Sequence, residues 1–204
     1  MSNGTTQKLD VIDTIKEGIA IGSKNIGSIL VNIILWVLTC WIPYLNVGTT
    51  IGLMTGIVSK ASKGEIIPMT EIFDPKYRKY MGEFFLTSGL IGMGIGVGMV
   101  LFIIPGIVIA IAWSLALLLV VDKSKNPTEA ISLSNQCTYG NKLRMVGVYL
   151  LPAIAFALLM GLFSLIAVAV AFLGVLLILA LSFFYCFVMI GLLAAIYKRL
   201  TENV

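Results

Sequence analysis

Charged residues are absent from three long stretches of this chain, 25–59, 84–121 and 145–197, which hold 35, 38 and 53 residues. As straight helices they would run about 52, 57 and 80 Å at ~1.5 Å per residue, against a hydrocarbon layer about 30 Å thick. Each stretch therefore has to fold back on itself, and each reads as a hairpin of two membrane-crossing helices. The first turn falls at Trp41-Ile42-Pro43-Tyr44-Leu45-Asn46, where proline, asparagine and aromatics interrupt the helical pattern. The second falls at Ile104-Pro105-Gly106 and the third near Phe172-Leu173-Gly174. The predicted spans are 27–42, 46–61, 83–103, 106–121, 143–171 and 174–197. The fold class is thus all-α, a polytopic bundle of about six transmembrane helices in three hairpins. Residues 1–204 form one integral membrane domain, with 1–25 as a leading segment and 26–199 as the bundle.

Between the hairpins the pattern changes. Leu9, Ile12, Ile15 and Ile19 share one helical face, which predicts an interfacial helix ahead of the first span. Residues 66–82 carry Pro68, Pro75 and the basic, aromatic run Tyr77-Arg78-Lys79-Tyr80, a candidate for resting on lipid head groups. Asn126-Pro127-Thr128-Glu129 reads as an N-cap, a proline in the first turn and an acidic third position, and Gly140 as the stop. A short helix at 127–138 follows.

Composition supports the lipid reading: 59% of residues are hydrophobic, 12% are charged and the mean hydropathy is +1.02. A water-soluble domain carries about twice that charge. All 14 Lys and Arg lie outside the three hairpin turns. The positive-inside rule then places both termini and every charged connector in the cytoplasm. Trp41 and Tyr44 mark the outer interface in this scheme, and Tyr77, Tyr80, Tyr139 and Tyr197 the inner one. An Asn-Gly-Thr sequon at Asn3 carries no meaning if that end is cytoplasmic.

The chemistry inside the spans is sparse. There is no histidine, and Cys40, Cys137 and Cys186 are scattered without metal or disulfide spacing. Neither a catalytic residue, a cofactor nor a metal site is expected, and the basic connectors are too small for a nucleic-acid fold. Small residues recur four apart at Gly48, Gly52 and Gly56, and at Gly92 and Gly96 with Gly94 and Gly98 beside them. Such stripes let helices approach closely, within one molecule or between copies, and are also compatible with a narrow pore. Asn32 needs a partner at depth, on a neighbouring helix, because lipid offers its amide none. Ser114 is the other polar candidate for a packed or pore-lining face. Glu83 and Asp122 sit at span ends and read as solvated carboxylates, or as the flanks of a vestibule.

Superposing Pro43 on Pro105 aligns the first two hairpins, matching Ser62-Lys63 to Ser124-Lys125, an echo of duplication as a parallel repeat. Ile104-Pro105-Gly106-Ile107, Asp122, Asn126-Pro127-Thr128-Glu129-Ala130-Ile131-Ser132-Leu133-Ser134 and Tyr139-Gly140-Asn141 carry a further likeness. Here the chain resembles a bacterial family of multi-pass proteins similar to the membrane domain fused to some glycerophosphodiester phosphodiesterases. Ala130 and Ser134 keep that family's Ala-x-x-x-Ser spacing. These residues are expected to carry no catalytic domain, so the resemblance implies a helical bundle in a bacterial inner membrane and no reaction. The expected function is a non-enzymatic membrane scaffold or transport accessory, with the bilayer and a homo-oligomer or another membrane protein as partners. The alternative is an oligomeric passive pore or permease for a small or apolar solute.

Overall fold

The computed structural model describes residues 8–202, and Asn3 lies outside them. Those residues are helical, with no strand among them. Helix α1 (Val11–Lys24) starts on Asp10, whose carboxylate accepts from the Asp13 amide. It does not lie free on the surface. It packs along helix α11 (Ala171–Thr201), with Gly18 against Leu192, Gly22 on the Phe187 carbonyl and Gly191 on Gly18. Its packed side is therefore Thr14, Gly18 and Gly22, whereas Ile12 and Ile19 face outward. Absent side chains bring the two backbones together, and Glu17 closes the contact by pairing with Lys198 and Arg199.

Helix α2 (Ile26–Thr39) leaves α1 at a bend of 69° at Asn25. Its 14 residues reach about 21 Å. The return rod runs through α3 (Pro43–Ile51), a wider π-helical turn (Gly52–Gly56) and α4 (Ile57–Ser62). Pro43 opens it in the first turn, where no amide partner is needed. Asn46 accepts from Thr50, which accepts in turn from the Trp36 indole, so the polar groups of this hairpin satisfy one another.

The second hairpin is longer. Helix α6 (Met81–Leu101) ends at an extended Phe102, and α7 (Ile103–Ala112) begins at once. The turn lies just before Pro105, which occupies the first turn of α7, and Gly98 meets Gly106 backbone to backbone. After a break at 113–115, α8 (Ala116–Asp122) completes the span. Shifting by the 62 residues that separate Pro43 from Pro105 maps Gly52, where the π turn starts, onto Ser114, within that break. The two units are interrupted at corresponding places.

Helix α9 (Pro127–Thr138) has the predicted bounds, with the Asn126 side chain accepting from the Glu129 amide and Gly140 at positive φ. It buries Ala130, Ser134, Cys137 and Thr138. Helix α10 (Lys142–Ala169) contains Pro152 and turns at Val170 into α11. Four helical stretches among the described residues, Met81–Leu101, Ile103–Asp122, Lys142–Val168 and Ala171–Thr201, are long and apolar enough to cross a bilayer. The bent α1–α2 pair makes five if it counts as one span. The number does not reach the six expected. Helix α2 is short, and the α3–α4 rod carries Asn46, Thr49, Thr50 and Thr55 while giving one face to a loop.

Candidate functional site

That loop, residues 63–80, organises the polar end of the molecule. It includes a 3-10 turn (Glu71–Phe73) and a one-turn helix α5 (Lys76–Lys79). Two asparagines seven apart, Asn25 at the N-cap of α2 and Asn32 within it, hold it. Asn25 accepts from the Ile67 amide at 3.5 Å. Asn32 accepts from the Ile72 amide at 3.1 Å and donates to the Pro68 carbonyl at 2.8 Å. Asn32 is thus fully satisfied and buried, as expected of an amide at depth, but its partner is connector backbone and not a neighbouring helix.

The connector fills the glycine stripe of the α3–α4 rod. A Cβ on Gly48 would meet Arg78 Cγ at 2.9 Å. One on Gly52 would meet Ile72 Cα at 2.9 Å, and one on Gly56 would collide with the Tyr77 hydroxyl. Gly48, Gly52 and Gly56 therefore accommodate a loop, and neither a second transmembrane helix nor a pore. Tyr77 is 1% exposed, so it is not a head-group contact. Arg78 places its guanidinium 4.4 Å from the Tyr44 ring, and only Lys79 of the three basic-run candidates is exposed without a contact of this kind. The Arg78–Tyr44 contact also puts the connector's end level with the turn after α2. That hairpin does not hold the two a bilayer apart.

Buried against the rod, the connector brings in a carboxylate. Glu71 is 3% exposed and accepts from Lys60 Nζ at 2.7 Å, Lys76 Nζ at 3.1 Å and the Tyr77 hydroxyl. Burial alone would raise its pKa, but these three donors outweigh that and hold the carboxyl below the usual range. Burial and the nearby Glu71 charge push the Tyr77 phenol up, so it stays protonated and donates. Burial lowers the Lys76 pKa, yet Asp74 and Glu71 more than compensate.

A second carboxylate sits close by at the end of α8. The Asp122 side chain is 5% exposed, so it is not a solvated helix end. It accepts from Ser59, from Lys63 and from the Tyr197 hydroxyl at 2.8 Å, joining α4, α8 and α11. Glu83, by contrast, is exposed as expected. Between the two carboxylates opens a recess of about 260 Å³, lined by Ser59, Lys60, Lys63, Glu65, Lys76 and Tyr77 among others.

Across the bundle, α9 repairs the broken span. Ser134 donates to the Ala112 carbonyl at 2.7 Å and accepts from the Leu115 amide at 3.2 Å, while Thr138 donates to the same carbonyl. Ala130, one turn earlier, is fully buried. The Ala-x-x-x-Ser spacing thus has a structural use here, capping backbone groups that the break exposes.

The remaining candidates separate. Gly92 and Gly96 point into open space, whereas their neighbours Gly94 and Gly98 receive Trp113 and Gly106. Within the monomer, then, only Gly94 and Gly98 serve packing. Ser114, in the break, donates to the Ile111 carbonyl at the end of α7 at 2.8 Å and borders an apolar cavity. Glu71, Ser59, Lys60 and Tyr197 escaped sequence reasoning as a set. The available signal was positional, since Lys60 and Asp122 both sit at the edge of an uncharged run and so at one depth. No group of His, Cys, Asp or Glu among the described residues is arranged to hold a metal. Compared with protein families, curated proteins and solved structures, the chain matches none.

Proposed function

We propose that this chain is a non-enzymatic integral membrane protein, a scaffold or transport accessory that works by lateral packing against lipid or a partner. The observation that carries the reading is the occupation of its two buried carboxylates. Glu71 and Asp122 are the most buried acidic side chains among the described residues, and each is held by three donors as a structural tie. A general base needs a free lone pair aimed at substrate space. Two cavities bordered by span helices, one at Leu151 and Tyr185 and one at Met99 and Tyr149, are lined almost wholly by apolar side chains, in keeping with packing and not with aqueous passage.

The outward faces fit the same reading. Phe85, Leu86, Met93, Val97 and Val100 leave α6 apolar toward its surroundings, with Gly92 and Gly96 among them. Placement in a bacterial inner membrane, with the basic end in the cytoplasm, rests on the distribution of Lys and Arg and on the family resemblance. Photo-cross-linking residues at positions 92 and 96, in cells, should yield a discrete adduct, and the purified protein in liposomes should pass neither ions nor small solutes. Solute flux without any adduct would replace this reading with the passive pore.

A further inference from the structure

The recess between Glu71 and Asp122 has a donor and acceptor pattern that the fold leaves partly unspent. A lysine ammonium has three N–H donors. Lys60 spends one on Glu71, Lys63 one on Asp122, and Lys76 one each on Glu71 and Asp74. Two remain on Lys60, two on Lys63 and one on Lys76. Their side chains are 25%, 49% and 45% exposed, so these donors are reachable. On the same lining stands Glu65, exposed and with no side-chain bond in the structure.

Charge decides the ligand class. Three ammoniums line the recess with Asp122 and Glu65, while Glu71 pairs with Lys60 and Lys76 from behind and Asp74 with Lys76. The surroundings are neutral to slightly negative, so a bare phosphate gains no net attraction, and a bare amine meets three cations. A zwitterion satisfies both poles: an anionic phosphoester on the lysine donors and a primary ammonium on Glu65. Ile66, next to Glu65 in the chain, is 81% exposed. At about 260 Å³ the recess is below the size of a drug-like site, enough for a head group and not for a whole lipid.

We propose that this recess binds a phosphoethanolamine group, with phosphate on Lys60, Lys63 and Lys76 and the ammonium on Glu65. The group has two sources, a soluble phosphoester or the head of an aminophospholipid. The lipid source rests on the membrane placement proposed above. The recess itself does not.

Thermal unfolding of the purified full chain in mild detergent, titrated with O-phosphoethanolamine, tests the recess. A saturable rise in melting temperature is expected, larger than with inorganic phosphate, ethanolamine or phosphocholine at equal concentration, because phosphocholine's quaternary nitrogen has no N–H to donate. Glu65→Gln should keep the unliganded melting temperature and weaken O-phosphoethanolamine about tenfold, the scale of one charge-assisted contact. The pair Lys63→Gln with Asp122→Asn removes both charges together and should keep the fold while also weakening binding. No shift with O-phosphoethanolamine, or an equal shift with phosphate that Glu65→Gln leaves untouched, overturns the proposal. Native mass spectrometry after extraction from mixed phosphatidylethanolamine and phosphatidylglycerol vesicles separates the sources. Retention of the ethanolamine lipid supports the lipid source. A soluble-ligand shift without retention still supports the recess, assigns a soluble phosphoester and counts against the bilayer position of this end.

Discussion

Replacing Gly56 by alanine tests the seating of the connector most sharply. The added Cβ would collide with the Tyr77 hydroxyl. Tyr77 cannot retreat easily, being 1% exposed and donating to a Glu71 that is itself 3% exposed. Overpacking a close-fitted site costs about 1–3 kcal/mol. If the ring tilts away instead, the hydrogen bond to an ionised carboxylate is lost, worth about 1.5–3 kcal/mol. Either route predicts a loss of roughly 2 kcal/mol for Gly56→Ala. Gly92→Ala, where nothing lies within 4 Å of the new Cβ, should be neutral or gain up to about 1 kcal/mol in helix propensity. A double-mutant cycle isolates the contact. Tyr77→Ala removes the ring whose hydroxyl and Cζ the new methyl strikes, so Gly56→Ala with Tyr77→Ala should cost less than the sum of the single changes, by about 0.5–3 kcal/mol. Equilibrium unfolding in a denaturing-detergent titration, followed by circular dichroism, measures all four. Additive costs, or a Gly56→Ala indistinguishable from Gly92→Ala, would refute the packing of Tyr77 on this rod.

Asn32→Ala strands the Ile72 amide, while the Pro68 carbonyl keeps the Glu71 amide, and should cost about 1–3 kcal/mol by the same titration, against about 0.5–1 for Asn25→Ala, whose bond is longer. Asp122→Ala leaves Lys63 without its carboxylate and should destabilise by about 3 kcal/mol, the low end for a broken buried pair because Lys63 is half exposed. Restoring neutrality with Lys63→Gln and Asp122→Asn should recover most of that loss. Glu71 ties stability to acid: its folded pKa lies below the ordinary 4.5, so its contribution is complete above about pH 4.5 and is lost as pH falls through the folded value. Glu71→Gln should remove that part of the acid slope in melting temperature, leaving the neutral-pH limb flat. Ser134→Ala should open the break at 113–115, seen as faster amide exchange at Leu115 than in the parent protein.

Local signals in this chain were readable and relational ones were not. Asn126, Pro127, Glu129 and Gly140 define α9 to the residue, because caps and stops act within one turn. The uncharged runs likewise reveal apolar helices, since excluding charge from lipid is a property of each segment alone. The spacing of Gly48, Gly52 and Gly56 says that something approaches closely but not what, and the visitor is a loop. Asn32 announces a need for partners, yet backbone at 68 and 72 answers it, 36 and 40 residues away. Asp122 reveals its depth by ending a run. Its burial depends on Ser59, Lys63 and Tyr197, whose convergence no local pattern encodes. The short first hairpin looked like two spans because its residues are uncharged, although uncharged is not the same as apolar at Asn46, Thr49 and Thr50.

Central to the proposed placement is that helices α6 and α7–α8 cross the membrane as a pair, with the basic recess on one side. Phe102 at their junction is 75% exposed, and Lys125 lies just beyond the end of α8. In a chain with its native cysteines replaced, Phe102→Cys and Lys125→Cys can each be treated with a membrane-impermeant thiol reagent, in spheroplasts and in inverted vesicles. Labelling of position 102 only from outside and of position 125 only from inside is the predicted result. Both positions reacting from the same face would contradict it.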